Sequence, residues 1–159
     1  WTVVLPATLS LPGSPFAPFT VLLRASTAGI GPVALLNLAS AGFQNVALRH
    51  GDIHATGLPD ACADLVIIHQ VLHYLMDPAS AVREAARVVK PGGRLLIIDF
   101  AQHQMKHLCE LHCHRWLGFS DRNIEDWTSN AGLSGSVVKS TRSEPINLTV
   151  KIWTCQKRA

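Results

Sequence analysis

Two continuous apolar runs stand out in the pattern of hydrophobic and polar positions along the chain. They are Asp64–His69 (DLVIIH) and Arg94–Phe100 (RLLIIDF), and polar side chains lie at the end of each run. An unbroken apolar run is typical of a strand that is covered on both faces in a parallel sheet. We therefore predict two buried strands with polar residues at their carboxyl ends.

A helix is predicted between these two strands. Asp77 is a favourable N-cap, and Pro78 suits the first helical position. Apolar residues then recur at helical spacing, namely Val82, Ala85, Ala86 and Val89. The segment Lys90-Pro91-Gly92-Gly93 ends the helix, because Pro followed by Gly favours a type II turn in which Gly takes the positive φ.

Weaker patterns predict the remaining elements. They are strands at Phe19–Ala25 and Asn45–His50, helices at Val33–Ala41, Gln102–Trp116 and Ser120–Ala131, and closing antiparallel strands at Gly135–Thr141 and Asn147–Cys155. Strands that alternate with helices imply an α/β fold. The sheet is expected to be mainly parallel, with an antiparallel C-terminal strand.

The first 37 residues differ in composition from the rest. Prolines at positions 6, 12, 15 and 18 argue against a regular helix or a central strand in residues 1–20, which we interpret as an extended arm. All 11 acidic residues lie from Asp52 onward, and the chain begins at Trp1, so a truncated or altered coding region is one explanation. The predicted division is a proline-rich arm at 1–37 and a globular domain at 38–159.

Composition excludes several classes of protein. The 159 residues are 48% hydrophobic and 16% charged, with a net charge of +3 from scattered basic residues, which indicates a globular domain that does not bind nucleic acid directly. No apolar run reaches about 18 residues and no basic leader is present, so neither a membrane span nor a secretory signal is expected. The cysteines form no disulfide framework, which favours reduced thiols and a cytoplasmic location. They are Cys62, Cys109, Cys113 and Cys155.

Polar residues at the carboxyl ends of parallel strands predict a ligand crevice. The candidates are Gly51 and Asp52 after one strand, His69, Gln70, His73 and Tyr74 after the next, and Asp99 at the end of the third.

The segment at 103–114 (HQMKHLCELHCH) raises the alternative of a metal site. On one helix His103, His107 and His114 would share a face, whereas Cys109 and Cys113 would point to the opposite side. The six side chains cannot converge on one ion, so the cysteines are interpreted as core residues. The histidines are expected to face an acceptor pocket or solvent, and no metal is predicted.

Four ordered motifs carry a resemblance to a known family. They are Gly51-Asp52, Ala63–Tyr74 (ADLVIIHQVLHY), Val88–Leu95 (VVKPGGRL) and His114–Ser120 (HRWLGFS). Leu38–Arg158 resembles class I S-adenosylmethionine-dependent methyltransferases of type 11, a group that includes menaquinone and ubiquinone methyltransferases. The amino-acid sequences of the second and fourth motifs are most similar to one subset of this family. In that subset the methyltransferase domain follows an arsenic-repressor-type winged helix.

The resemblance implies a Rossmann-like sheet, S-adenosylmethionine as cofactor, and a small or lipid-like methyl acceptor. It implies cofactor contacts at Gly51, Asp52, Ile53, His69 and Gln70, with Asp52 near the adenine. Acceptor-pocket candidates are His73, Tyr74 and Asp99. His73 is a candidate to take a proton from the acceptor. The alternative is that His73 and Tyr74 only form the pocket wall, since the cofactor's sulfonium drives transfer to an acceptor that is already nucleophilic.

The N-terminal part departs from the family pattern. Ala28-Gly29-Ile30-Gly31 is the candidate for the family's Gly-x-Gly-x-Gly loop, and no Asp or Glu precedes Asp52 to hold the ribose. Loss of two charge-assisted hydrogen bonds predicts cofactor binding weaker by roughly 10² to 10⁴. One βα unit is expected to be missing, so either Phe19–Ala25 or another chain pairs with the strand at 64–69. A catalytically impaired ligand-binding or regulatory module is the alternative function.

Overall fold

The computed structural model describes residues 2–5, 19–23, 46–106, 114–143 and 148–158. Within them lie seven strands, two helices and a short 3₁₀ turn at Leu72–Tyr74. The strands are β1 (Thr2–Leu5), β2 (Phe19–Leu23), β3 (Val46–His50), β4 (Ala63–His69), β5 (Val89–Phe100), β6 (Leu133–Ser143) and β7 (Leu148–Lys157). The helices are α1 (Pro78–Val88) and α2 (Asp121–Asn130).

The strands form one mixed sheet in the order β3-β2-β1-β4-β5-β7-β6. β2 pairs parallel with β3 and β4 pairs parallel with β5, whereas β1 and β7 run antiparallel to both of their neighbours. Five strands therefore share one direction. The predicted α/β class and the antiparallel C-terminal pair are confirmed.

The strand register aligns several strand ends in one row. Leu23 pairs with His50 and Thr2, Thr2 pairs with His69, and His69 pairs with Ile98. The carboxyl ends of β2, β3, β4 and β5 consequently lie on the same side of the sheet. This is the arrangement in which a crevice forms outside the strand ends.

The interpretation of residues 1–20 as an extended arm without a central strand is wrong at Thr2–Leu5. These four residues form β1, which lies between β2 and β4. The first proline is Pro6, so every amide in this short segment can donate a hydrogen bond, and two β-branched valines favour the extended backbone. The position beside β4 is thus filled by β1, while the predicted strand at Phe19–Ala25 is the next one outward.

Both helices pack on the apolar layer of the sheet. Along β4 and β5 the buried side chains include Val66, Ile68, Leu95 and Ile97, which α1 covers with its own apolar face. That face consists of Ala81, Val82, Ala85, Ala86 and Val88. The core continues under α2 through Phe119, Ile124 and Trp153.

Residues 77–93 follow the sequence prediction closely. The side chain of Asp77 accepts a hydrogen bond from the backbone N–H of Ser80 at 3.0 Å, and Pro78 opens α1. The helix ends at Val88, one residue before the predicted Val89, because Val89 pairs with Ala63 and begins β5. Gly92 has a φ of +77°, as the predicted type II turn requires.

Lys157 closes the carboxyl end of α1. Its ammonium donates to the carbonyl oxygens of Ala86 at 2.7 Å and Val89 at 2.8 Å. Helix termini leave carbonyls without helical partners, and a cation there also offsets the helix dipole.

We expect Lys157→Met to lower the free energy of unfolding by about 1–2 kcal/mol, because two carbonyls lose a charged donor. Urea unfolding followed by circular dichroism measures this change. Lys139→Met, at an exposed position of β6, is the control and should stay within about 0.5 kcal/mol. Equal effects of the two variants would contradict this role of Lys157.

Neither of the two described helices is both long and apolar enough to cross a membrane.

Candidate active site

The candidate residues lie after three strands that end on the same side of the sheet. Gly51 and Asp52 follow β3, His69 and Gln70 lie at the end of β4, and Asp99 is near the end of β5. β4 and β5 are neighbours, whereas β3 is three strands away from β4, a separation of about 14 Å at the usual strand spacing. The site therefore has two parts: a β3 side, and a β4–β5 side.

Asp99 is the centre of the β4–β5 side. It is fully buried, and its carboxylate accepts three hydrogen bonds. Oδ2 accepts from the backbone N–H of Leu72 at 3.0 Å, while Oδ1 accepts from Nδ1 of His73 at 2.6 Å and from the Phe100 N–H at 2.8 Å. A buried carboxylate requires such partners, and here they fix the 3₁₀ turn after β4 to the end of β5.

His73 is enclosed by this arrangement. His73 is 1% exposed. The centroid of its ring lies 4.0 Å from the ring centroid of Tyr74, 4.3 Å from that of His114 and 5.0 Å from that of Phe100. The contact between Nδ1 and Asp99 fixes the orientation of the ring. His73 is thus buried among other rings beside Asp99, and both of its predicted roles, proton acceptor and pocket wall, stay predictions.

The predicted helix at Gln102–Trp116 is wrong wherever the structure describes that segment. The N–H of Gln102 donates to the carbonyl of Phe119, and that of His103 donates to Leu117. These amides are used across a closed loop instead of along a helix. Gly118 permits the closure, since it has a φ of +74° and its Cα lies against the backbone of Ala101.

The loop closure brings His114 to the site. The N–H groups of Arg115 and Trp116 both donate to the carbonyl of His73, at 2.8 and 3.1 Å. Nε2 of His114 lies 3.2 Å from the Tyr74 hydroxyl, and its ring stacks on Phe100 at 5.8 Å. His103 contacts Phe100 edge-on, with 6.1 Å between ring centroids.

His103 and His114 contact Phe100 from a loop and do not share one helix face. That they face an acceptor pocket stays a prediction. His107, Cys109 and Cys113 are outside the described residues. Among the described residues, no group of three His, Cys, Asp or Glu side chains could hold a metal ion.

Sequence reasoning did not predict the contact of His114 with Tyr74, and it did not single out Phe100 as a site residue. His114 lies 40 positions from its partner Tyr74, so no local periodicity connects them. The motif HRWLGFS contained His114, and its Gly118 was the signal that a tight backbone approach follows.

Gln70 has a strained backbone at the end of β4. Its φ is +51°, a conformation that residues other than glycine rarely adopt. Its N–H donates to the carbonyl of Ile98 at 2.8 Å, which holds this conformation against β5. Strain of this kind occurs frequently at ligand sites, and here it turns the chain from His69 into the 3₁₀ turn.

On the β3 side, Asp52 is exposed and Ile53 is buried. Oδ1 of Asp52 accepts from the N–H of His54 at 3.0 Å, and the N–H of Ala55 donates to the Asp52 carbonyl. The carboxylate therefore stands at the head of a tight turn, anchored to the core by the next residue.

Glu84 of α1 holds the segment that follows this turn. Its Oε1 accepts from the N–H and the hydroxyl of Thr56, at 2.8 and 2.7 Å, and Arg87 donates to both carboxylate oxygens. Arg87 also pairs with Asp60. The hydrogen bond from Arg87, helped by those from Thr56, lowers the pKa of Glu84 from 4.5 to about 2 despite the opposing effect of burial.

A folded-state pKa below the unfolded value means that Glu84 stabilises the protein above about pH 4.5 and that this contribution is lost as the pH falls toward 2. We expect Glu84→Gln to lower the free energy of unfolding by about 1–2 kcal/mol at pH 6, after allowance for solvent screening. The difference between wild type and variant should shrink by pH 3. Glu125→Gln, at an exposed position of α2, is the control. A difference that does not change between pH 6 and pH 3 would contradict the role of Glu84.

The two cysteines that the structure describes are free thiols. Cys62 is exposed and Cys155 is buried. Burial raises the pKa of the Cys155 thiol, so it behaves as a core side chain.

Comparisons with known proteins agree with this architecture. Residues 28–97 match the family model described as "Methyltransferase domain". A ubiquinone/menaquinone biosynthesis C-methyltransferase (UbiE) of Cellvibrio japonicus is 30% identical over 132 residues, which cover 81% of this chain and 51% of that protein. The first five curated relatives are matched over 22% to 51% of their lengths, so this chain spans about half of them or less.

Solved structures share the fold at low sequence identity. The S-adenosylmethionine-dependent methyltransferase SibL, in its apo form, superposes with a TM-score of 0.68 at 20% identity, covering 88% of this chain and 43% of that one. The [4+2]-cyclase SpnF superposes with a TM-score of 0.73 at 15% identity, covering 90% and 67%. Residues 28–97 are therefore similar to a methyltransferase domain, and the chain shares its fold with the two solved structures.

Proposed function

We propose that this chain transfers a methyl group from S-adenosylmethionine to a small or lipid-like acceptor. The cofactor would lie along the carboxyl ends of β3 and β4, and the acceptor beside β4 and β5. Since the chain spans half or less of its first curated relatives, the activity is inferred for this segment and not taken over from the whole relatives.

The observation that carries this proposal is the buried contact between Asp99 and His73. It fixes the turn after β4 to the end of β5, where the fold of these proteins forms its crevice. A fully buried carboxylate with three donors is costly to remove from water. Such a cost is typical of a site whose geometry must be held.

The described residues fit the adenosyl part of the cofactor. The exposed carboxylate of Asp52 suits an amino or hydroxyl donor, and the turn after it is held by Ile53, Thr56 and Glu84. β2 ends at Leu23 on the same side of the sheet. The glycine-rich candidate Ala28–Gly31 follows it in the sequence, outside the described residues. Asp52, Ile53, His69 and Gln70, with Gly51, are the proposed cofactor contacts.

The bound cofactor supplies a methyl group on a sulfonium. The protein's task is then to align the acceptor and to exclude water. Aromatic side chains on the β4–β5 side, Tyr74 and Phe100, offer an apolar surface of the kind that holds small ligands.

Calorimetry with S-adenosylmethionine and S-adenosylhomocysteine tests the proposal. Because no acid precedes Asp52, we expect dissociation constants in the high micromolar to millimolar range, about 10² to 10⁴ weaker than a site with a ribose acid. The Asp52→Asn variant should weaken binding by about tenfold or more, since one charge-assisted hydrogen bond to the adenine is lost. Asp126→Asn, at an exposed position of α2, is the matched control.

Three results separate the candidate functions. Binding of both ligands together with methyl transfer to any acceptor supports the enzyme. Binding without turnover across a panel of acceptors would favour the alternative, a methyltransferase-fold binding module, and the fold shared with SpnF shows that the fold alone does not fix the reaction. No heat at millimolar cofactor would reject both.

A further inference from the structure

The ring cluster on the β4–β5 side, formed by His73, Tyr74, Phe100 and His114, is not equally buried throughout. His73 is 1% exposed, whereas Tyr74, at the next position, is only half-buried. A group that takes a proton from a substrate must come within hydrogen-bonding distance of it. The exposure of these two side chains therefore favours Tyr74 over His73 as the residue that meets an acceptor.

Tyr74 is linked to a second titratable group. Its hydroxyl oxygen lies 3.2 Å from Nε2 of His114, and the His114 side chain is 8% exposed. A phenolic hydroxyl can donate its own proton to an imidazole nitrogen while its oxygen accepts another proton. The pair can accordingly move one proton inward across a single hydrogen bond.

The surrounding contacts hold this pair in place. The carbonyl of His73 accepts from Arg115 and Trp116, which fixes the backbone next to His114. Asp99 holds the His73 ring through Nδ1, and that ring lies 4.3 Å from the His114 ring. Residues far apart in the sequence are thus brought together around one hydroxyl at the crevice.

We propose that Tyr74 is a catalytic contact of the acceptor, that His114 is its proton-accepting partner, and that His73 and Asp99 are positioning residues. This inference rests on the proposed methyl transfer and specifies the acceptor: its nucleophilic oxygen carries a proton, as in a phenol. The acceptor O–H gives its proton to the Tyr74 oxygen as the Tyr74 proton passes to Nε2 of His114. The electron pair left on the acceptor oxygen is the nucleophile, and the imidazolium later releases its proton to water.

The test uses 4-nitrophenol, whose anion is yellow, with the full chain and without cofactor. We expect the anion-to-neutral ratio of the bound probe to exceed that of the free probe by about tenfold at the same pH, which equals one pKa unit of the probe. Tyr74→Phe keeps the ring and removes the hydroxyl, and His114→Gln removes the imidazole. Both variants should return the ratio of the bound probe to that of the free probe.

Two controls distinguish a loss of proton transfer from a loss of the folded structure. Circular dichroism shows whether each variant keeps the wild-type fold, and Cys62→Ser, at the opposite end of β4, should keep the full shift. A purely structural role of Tyr74 would weaken probe binding without changing the ratio of the bound fraction.

Three results would overturn the inference: no saturable binding up to millimolar probe, equal ratios for bound and free probe in the wild type, or an unchanged ratio in both folded variants. The probe experiment needs no cofactor, so its outcome is independent of the calorimetry. An ionised probe without cofactor binding would reject methyl transfer, whereas cofactor binding without probe ionisation would reject only this role of Tyr74.

Discussion

Gly118→Ala should lower the free energy of unfolding by about 3–5 kcal/mol. Two effects add at this position. Gly118 has a φ of +74°, which a side chain opposes. A Cβ there would also overlap the carbonyl oxygen of Ala101 and lie 2.8 Å from that of Phe100. Because the neighbours are backbone atoms, they cannot move aside without opening the loop that carries His114. Urea unfolding followed by tryptophan fluorescence measures the loss.

Gly132→Ala is the matched control, because it shares only one of the two effects. Gly132 has a φ of +79°, but a Cβ there would meet no described atom within 4 Å. We expect a loss of about 1–2 kcal/mol, the cost of the backbone conformation alone. If both variants lost the same free energy, the close approach at Ala101 would not be what closes the loop.

Asp99→Asn is expected to destabilise the protein by about 2–4 kcal/mol. The carboxylate accepts from three donors on two oxygens, and an amide has only one acceptor oxygen. In either orientation, its NH₂ group faces at least one donor in a buried position. The turn at Leu72–Tyr74 should then separate from the end of β5. Urea unfolding measures the loss, and amide chemical shifts at Leu72 and Phe100 report the separation.

Asp64→Asn makes the same chemical change in an exposed ion pair. Nζ of Lys90 lies 2.9 Å from Oδ1 of Asp64, and each side chain is about half exposed. We expect a change below about 1 kcal/mol, as is usual for surface pairs. An effect of Asp99→Asn that is no larger than this would show that the buried carboxylate does not hold the crevice.

Much of the fold could be predicted where local chemistry decides the structure. The apolar runs of β4 and β5, the Asp77-Pro78 helix start and the Gly92 turn each depend on residues within a few positions of one another. β1 could not be predicted, because Thr2–Leu5 is too short for a periodic signal and prolines follow it. Its place between β2 and β4 depends on pairing with residues almost 70 positions away.

The site residues likewise divide into those whose position local chemistry predicts and those whose position depends on distant contacts. The order of Asp52, Gln70 and Asp99 on one side of the sheet follows from strand direction, which the sequence pattern indicated. The position of His114 follows from backbone hydrogen bonds between residues 102–103 and 117–119, and helical periodicity gave the wrong structure there. The contact of Glu84 with Thr56 links α1 to the loop after β3, and no local sequence motif predicts this contact.

Amide chemical-shift mapping during a titration with S-adenosylmethionine would locate a cofactor site along the carboxyl ends of β3 and β4. We expect saturable shifts at Gly51, Asp52 and Gln70. We expect no such shifts at Asp64 and Gly92, which lie at the opposite ends of β4 and β5. Shifts confined to those opposite ends, or none at millimolar cofactor, would contradict a site at these strand ends.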